Sequence, residues 1–500
     1  MTIALSIAGI GYFIQIWPRI SQRYFGVDVW RNLSIIGYIR QHKRLPDYLP
    51  QYMLKGQFDY PPLFLITLSF LPKAFLERYQ GFIAPLLDVV HGLYLFIFAY
   101  FITQSVFISA TAQIIYVLTP IMIMENAQLS PRGFGSLLFT ITLLAVFYFS
   151  HNHEASYLIF VLCITSAMLL SSKMAAQTFF FFSIFYLFAA HDITYLLIFL
   201  GAVFLAIVVT KGFYMRVLTG HLHVLKYFRK IIDVRYAHQI RGVISPSQSK
   251  DFIGKINAII NRLPLVAFIA GNPFLMFAFF VVGIDTLWGP WDVEQQINYT
   301  AIFQFMKLWL FIIVFLGLIT AHVRPLLFLG DGIKYLMYGI FPTAFLLATY
   351  VVVTGGWIFW ATILIGVAVL AQSLYLQNKI VKTKSHRVID STIREAMNFL
   401  QTASDSPSQI RVATIPFAMA DALAYFTNCQ VLSSDSGYVL GNSQDYIDYY
   451  PFLRKPLNEI AHKHKIDYIF VDTRYAALEE LNLGKYNIAF QSGSYMIVKY

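Results

Sequence analysis

Two aspartates in the first 60 residues stand beside apolar segments, where a carboxylate can do chemistry. Asp28 lies in Phe25-Gly-Val-Asp28-Val-Trp30-Arg31, and Asp59 in Phe58-Asp59-Tyr60-Pro61-Pro62. A carboxylate within hydrogen-bond reach of a substrate hydroxyl acts as its base. Arg132, Lys211, Arg216 and Arg324 border other apolar runs. Cations held near a membrane interface stabilise the charge of an anionic leaving group. Each of these residues also has an ordinary role. An Asp in a first helical turn complements the helix dipole. An Asp before Tyr-Pro-Pro is common turn chemistry, and the prolines force Tyr60 into an extended conformation. An arginine at the end of an apolar run snorkels to the interface. Glu125 and Asp331 lie close enough in sequence to pair with Arg132 and Arg324.

The elements that position these residues are set by the solvent the chain demands. Of 500 residues only 13% are charged and 58% are apolar, with mean hydropathy +0.61. An ordinary soluble domain carries about 25% charge, so the surplus apolar surface implies a bilayer. Runs suited to spanning it read at 1–17, 82–103, 104–123, 133–149, 155–170, 174–190, 193–210, 263–284, 301–320, 335–354 and 357–376, about eleven in all. The first run lacks a basic leader region and a small-residue cleavage site, and is expected to stay as an anchor. Cys163 and Cys429 are too few for a disulfide scaffold or a Cys-rich zinc module.

The net charge of +11 is unevenly placed. Residues 1–378 hold 24 Lys/Arg and 14 Asp/Glu, against 13 and 12 in residues 379–500. Lys211 to Arg262 alone holds ten basic and two acidic residues, so the charge belongs to one loop of a membrane protein and does not read as a nucleic-acid-binding face. Residues 18–81 form a long first extramembrane segment in which Val29-Trp-Arg-Asn-Leu-Ser-Ile-Ile-Gly-Tyr-Ile-Arg40 has the three- and four-residue apolar spacing of a surface helix. Beyond about Lys379 the texture changes to short β-type runs at Ile410–Ile415, Gln430–Leu432, Tyr468–Asp472, Asn487–Phe490 and Tyr495–Tyr500, with helical patterns at Leu457–Lys465 and Arg474–Leu483. The expected fold is therefore an all-α polytopic membrane domain over 1–378, with a small α/β extramembrane domain over 379–500. In the latter, Asp421, Asp435, Asp472 and Arg474 are the notable charges. Ser433-Ser-Asp-Ser-Gly437 lacks the spacing of a phosphate-binding loop, and no nucleotide cofactor is expected.

An acid just past the first span, a surface helix, and an acid ahead of Pro61-Pro62 together resemble the GT-C fold glycosyltransferases that use lipid-linked sugars. Within these the chain is most similar to the bacterial aminoarabinose transferases and protein O-mannosyltransferases. The motifs occupy about 40 residues, and Tyr60 stands where a lysine is common in the family. The resemblance implies seven opening spans, which the runs before Lys211 match in number. It also implies that the basic loop 211–262 and the C-terminal domain lie on the non-cytoplasmic side of the inner membrane. The positive-inside rule would instead draw that loop to the cytoplasm.

By the same resemblance, Asp28 is the base, and Asp59 orients the acceptor or shares a divalent metal ion with Asp28. Two carboxylates are too few to demonstrate a metal site. Arg31, Tyr60, Arg132, Lys211, Arg216 and Arg324 are the substrate contacts. The implied partners are a polyprenyl-phosphate-linked sugar donor, a glycan, lipid or protein acceptor, and membrane lipids. Two other readings compete. A transporter or lipid flippase would place charged residues within the spans, whereas here the carboxylates are expected to cluster outside them. An O-antigen ligase or polymerase would move the chemistry to Arg216 and His221 on the basic loop.

Overall fold

The computed structural model describes residues 1–54, 56–234, 237–242, 264–289, 291, 293, 300–382, 387–404, 406–434 and 444–500. The chain divides into two compact units. The first comprises 1–21, 81–214 and 256–382, and the second 22–80, 215–255 and 383–500.

The first unit is helical. Seven helical stretches of the described chain are long and apolar enough to cross a membrane: Thr2–Ser21, Lys73–Thr103, Arg132–Asn152, Lys173–Ala190, Thr300–His322, Gly332–Thr354 and Gly356–Lys379. Four shorter apolar helices, Val106–Leu118, Ala155–Leu169, Thr194–Val209 and Pro273–Trp288, account for the difference from the eleven runs read in the sequence. The longest of these has 16 residues and rises about 24 Å, less than a hydrocarbon core of about 30 Å. The run at 104–123 is not one helix: extended Thr119 and then Pro120 end Val106–Leu118 and start Pro120–Glu125.

The expectation that carboxylates cluster outside the spans is corrected at Asp88 and Asp285, which are buried on apolar helices. Asp88 accepts from Gln15 Nε2 at 2.5 Å and from the Tyr116 hydroxyl at 2.7 Å, and Gln15 in turn accepts from Asn126 at 3.0 Å. Asp285 faces Lys307 Nζ at 3.3 Å and accepts from Tyr350 at 2.5 Å. Each buried carboxylate is engaged by neighbouring side chains, Asp88 through both oxygens and Asp285 through Oδ2.

Among the described residues the second unit holds one five-stranded sheet and the helices around it. The strands are β1 (Arg411–Ile415), β2 (Gln430–Val431), β3 (Tyr468–Asp472), β4 (Asn487–Ser492) and β5 (Tyr495–Lys499), in the order β2-β1-β3-β5-β4. β1 runs parallel to β2 and β3, and β5 antiparallel to β3 and β4. β1 and β3 are buried almost throughout, as parallel strands covered on both faces must be, while edge strand β4 is largely exposed and carries a bulge at Ile488/Phe490.

The helices of this unit are α1 (Asp28–His42), α2 (Leu63–Ser69), α3 (Phe213–Lys230, in this unit from Met215), α4 (Ser391–Thr402), α5 (Ala420–Thr427), α6 (Gln444–Tyr449) and α7 (Leu457–His464). Tyr227 and Ile231, at and just past the end of α3, share a core cluster with Leu54 of the first loop and Ile415, Ile469 and Val498 of the sheet. The sheet's hydrophobic core thus draws on residues from 22–80 and 215–255 as well as from the C-terminal part. Gln51 to Leu54 also pair with the free edge of β2, through Met53 N–H to Val431 O and Leu54 N–H to Leu432 O, both at 2.9 Å.

The helix expected over Arg474–Leu483 is absent; the segment is a series of turns. Side chains capture its backbone donors: Arg474 N–H bonds to the Asp472 carboxylate at 3.1 Å and Ala477 N–H to that of Glu480 at 3.2 Å. Further along, Leu481 N–H bonds to Leu478 O at 3.2 Å and Asn482 N–H to Glu479 O at 3.1 Å, closing tight turns in place of helical ones. The Arg474 guanidinium grips both oxygens of Asp472 at 2.8 Å, bonds the Tyr495 hydroxyl at 2.6 Å and lies 5.0 Å from that ring. A lysine cannot reproduce the fork. Arg474→Lys is expected to cost about 1 kcal/mol, the group being partly exposed, read as a lower thermal unfolding midpoint in detergent.

Candidate functional site

Of the eight residues singled out in the sequence, Asp28, Arg31, Asp59, Tyr60 and Arg216 belong to the second unit, and Arg132, Lys211 and Arg324 to the first.

Asp28 opens α1, whose buried face carries Val29, Trp30, Leu33, Ile35, Ile36 and Ile39. The preceding residue, Val27, makes no side-chain cap, so Asp28 is the first-turn acid that complements the helix dipole. Its carboxylate pairs with Arg31 one turn later at 3.3 Å. The pair is asymmetric: the Arg31 side chain is 6% exposed and that of Asp28 28%. The acid is thus partly exposed while the cation beside it is buried. Trp30 fixes the start of the helix, its indole N–H donating to Gly26 O at 2.9 Å and its ring lying 4.8 Å from Phe426 of α5.

Asp59 is buried in the extended stretch that Pro61-Pro62 leads into α2. Gly220 of α3 packs directly on its carboxylate: a Cβ there would sit 1.8 Å from Oδ2. One turn earlier, Arg216 pairs with Asp47 at 2.8 Å. The basic segment thus meets the first loop at Asp59 and at Asp47 as well as at Leu54, and glycine at 220 permits the approach to Asp59.

Exposed ion pairs such as Arg216–Asp47, with side chains 43% and 67% exposed, contribute little to stability. Arg216→Ala is therefore expected to leave the unfolding midpoint nearly unchanged, within about 1 kcal/mol. If Arg216 binds an anionic donor, donor KM rises about tenfold; an unchanged KM removes it from the substrate contacts.

A third group could not be read from the sequence. The Tyr52 hydroxyl donates to Asp421 Oδ1 at 2.7 Å, and both residues are buried. Burial pushes the Asp421 carboxyl up from the usual carboxylate range, while the Arg31 charge and hydrogen bonds from Tyr52 and Ser434 pull it down. Burial, with the neighbouring Asp421 charge, pushes the Tyr52 hydroxyl well up. Arg31 thus lies within electrostatic reach of two carboxylates, Asp28 on α1 and Asp421 in the first turn of α5.

In the first unit, Arg132 begins the helix Arg132–Asn152 and pairs with Glu125. Lys211 is exposed just past Thr194–Val209, in a left-handed conformation with φ 51°. Arg324 is exposed and opens the turn Arg324–Leu329, while Asp331 caps the next turn by accepting from Ile333 N–H at 3.2 Å. Of the ten cations in 211–262, Arg235, Lys250, Lys255 and Arg262 lie outside the described residues, as does Asp435.

No group of three or more His, Cys, Asp or Glu gathers among the described residues, and Asp28 pairs with the guanidinium of Arg31. A cavity of about 760 Å³ lies beside α1, lined by Gly37, Gln41, Tyr425 and Asn428 among others, and neither Asp28 nor Asp59 lines it.

No family model matches the sequence, and no curated protein matches it. Solved structures similar to the chain include the Archaeoglobus fulgidus oligosaccharyltransferase tethered through a disulfide to an acceptor peptide containing the NVT sequon, at 12% identity and TM-score 0.49 over 98% of this chain and 74% of that one. They also include ArnT from Cupriavidus metallidurans, at TM-score 0.44 over 99% of this chain and 97% of that one, both in the apo state, at 11% identity, and bound to undecaprenyl phosphate, at 10%.

Proposed function

We propose that the chain is an integral membrane glycosyltransferase of the GT-C type, moving a sugar from a polyprenyl-phosphate donor to an acceptor hydroxyl on the non-cytoplasmic face of the inner membrane. The observation that carries this reading is the partly exposed carboxylate of Asp28 at the start of α1, paired at 3.3 Å with an almost wholly buried Arg31. Asp28 takes the proton of the acceptor hydroxyl as its oxygen bonds to the anomeric carbon. The bond from that carbon to the phosphate oxygen breaks with its electron pair, and polyprenyl phosphate departs, with inversion at the carbon. Asp59, held in place beneath Gly220, orients the acceptor. Arg216 is the second unit's candidate contact to the donor phosphate, and Arg132, Lys211 and Arg324 are those of the first. Glycan, lipid and protein acceptors all offer the hydroxyl this chemistry needs.

A transporter gains some support from the buried carboxylates Asp88 and Asp285, yet each is engaged by neighbouring side chains. The deciding experiment compares wild type with Asp28→Asn in reconstituted membranes, following radiolabel from a polyprenyl-phosphate sugar into acceptor. Loss of transfer at unchanged folding supports the reading, and normal transfer ends it.

A further inference from the structure

We propose that the cavity beside α1 is a binding site for an acidic saccharide, separate from the carboxylates of Asp28 and Asp59. About 760 Å³ in volume, it lies within the second unit, walled by residues 33–42 of α1, residues 49–51 of the first loop, the end of α5 and the start of β2. Sites that enclose a small ligand run from about 300 to 1,000 Å³. The site stands whether or not Asp28 is the base, because its occupancy is measured without transfer.

Its polar lining is rich in amides. Gln41, Gln51, Asn428 and Gln430 all border it, and among the described residues none of their side-chain amides is engaged in a hydrogen bond. An amide donates twice and accepts at its oxygen, and a sugar hydroxyl likewise both donates and accepts. The backbone holds these residues in place. Gln51 O accepts from Val431 N–H at 2.8 Å, Gln430 N–H donates to Ile410 O at 2.9 Å, and Asn428 ends α5 in the left-handed conformation, φ 58°. Half-buried Tyr38, stacked on His42 with 4.1 Å between ring centroids, adds an aromatic wall.

The basic side chains that line the cavity are Arg40, His42 and Lys73, and among the described residues no Asp or Glu does. Glu77, which does not line it, takes Lys73 at 3.6 Å and the Tyr425 hydroxyl. Arg40 instead bonds two backbone carbonyls, Ser69 O at 3.3 Å and Leu71 O, which hold its guanidinium without neutralising it. An acidic group on the ligand is the charge that this guanidinium takes. Gly37 points the same way independently. It sits inside α1, where alanine is the better helix former, and a Cβ there would meet no atom within 4 Å. Packing does not demand glycine at 37; what its bare backbone preserves is the opening it lines.

Full-length protein in detergent is titrated calorimetrically with three probes: tetragalacturonate, the neutral maltotetraose, and tetraglutamate, which carries the charges without the hydroxyls. Wild type is expected to bind tetragalacturonate about tenfold more tightly than either of the others. Gly37→Leu fills the opening and is expected to weaken that binding roughly tenfold or more, with the unfolding midpoint unchanged or raised. Gln41→Ala and Gln430→Ala are each expected to weaken it about two- to tenfold, the range of one lost hydrogen bond. Arg40→Gln is expected to bring tetragalacturonate down to the level of maltotetraose. Failure of tetragalacturonate to bind wild type, or wild-type binding by Gly37→Leu, overturns the site. Equal binding of maltotetraose overturns the acidic class, and equal binding of tetraglutamate overturns the recognition of a saccharide. Should Gly37→Leu fail to fold, the two glutamine variants decide: unchanged binding in both overturns the site, and weakened binding at an unchanged midpoint upholds it.

Discussion

Asp28→Asn is expected to lower transfer by about 10²- to 10⁴-fold, the range typical of a lost general base. The substitution is close to isosteric. An asparagine oxygen still accepts from Arg31, and the residue keeps its place in the first turn of α1. The lost dipole interaction costs only about 0.3–1 kcal/mol. Arg31 also keeps its hydrogen bond to Asn32 Oδ1 at 3.3 Å. Folding should therefore survive while the rate does not, and this separation gives the experiment its force. It is read as kcat beside the unfolding midpoint of the same preparation. Asp28→Glu offers a control: it restores a carboxylate at the wrong reach and should recover part of the rate. A rate for Asp28→Asn within threefold of wild type would show that the acceptor proton leaves by another route.

Much of the frame around this residue could be read from local pattern. The three- and four-residue spacing after Asp28 marks α1, which the structure places at Asp28–His42. Tyr468–Asp472 is a strand over the expected residues. Such elements announce themselves because their apolar periodicity is contained within a few turns or one strand. Arg474–Leu483 has a helical pattern and no helix; its backbone closes short turns, with Leu481 N–H on Leu478 O and Asn482 N–H on Glu479 O.

The site was legible only in part. Arg31 stands three residues from Asp28, so their pairing follows from helical spacing. Glu125 and Arg132, seven residues apart, pair as the sequence suggested, whereas Asp331 serves as a cap. Tyr52 and Asp421 are separated by 369 positions and meet because the strand register of β2 carries one past the other. No local signal encodes such a contact. Asp88 and Asp285 were likewise passed over, because one carboxylate barely dents the hydropathy of an apolar run, yet each needs partners from distant helices.

Gly220→Ala is expected to disable the enzyme through Asp59 although it removes no functional group. The added Cβ would lie 1.8 Å from Asp59 Oδ2, 2.3 Å from its Cγ and 2.5 Å from its Cβ. No flexible tip can yield here, because the obstruction reaches back to the root of a short side chain. Asp59 is 9% exposed, between Phe58 at 1% and the rigid Pro61-Pro62 pair. Either α3 moves off the first loop or the carboxylate is driven out of position. Overpacking of this kind costs about 1–3 kcal/mol, and displacement of a positioning group by about 1 Å costs on the order of 100-fold in rate. The double variant Gly220→Ala/Asp59→Gly separates these effects. Glycine at 59 removes the Cβ along with the carboxylate and makes room for the methyl, so the unfolding midpoint should return toward wild type. Transfer should stay low, because the group that orients the acceptor is gone. If transfer returned together with stability, Asp59 would be only the surface on which α3 rests, and acceptor orientation would have to come from elsewhere in the first loop.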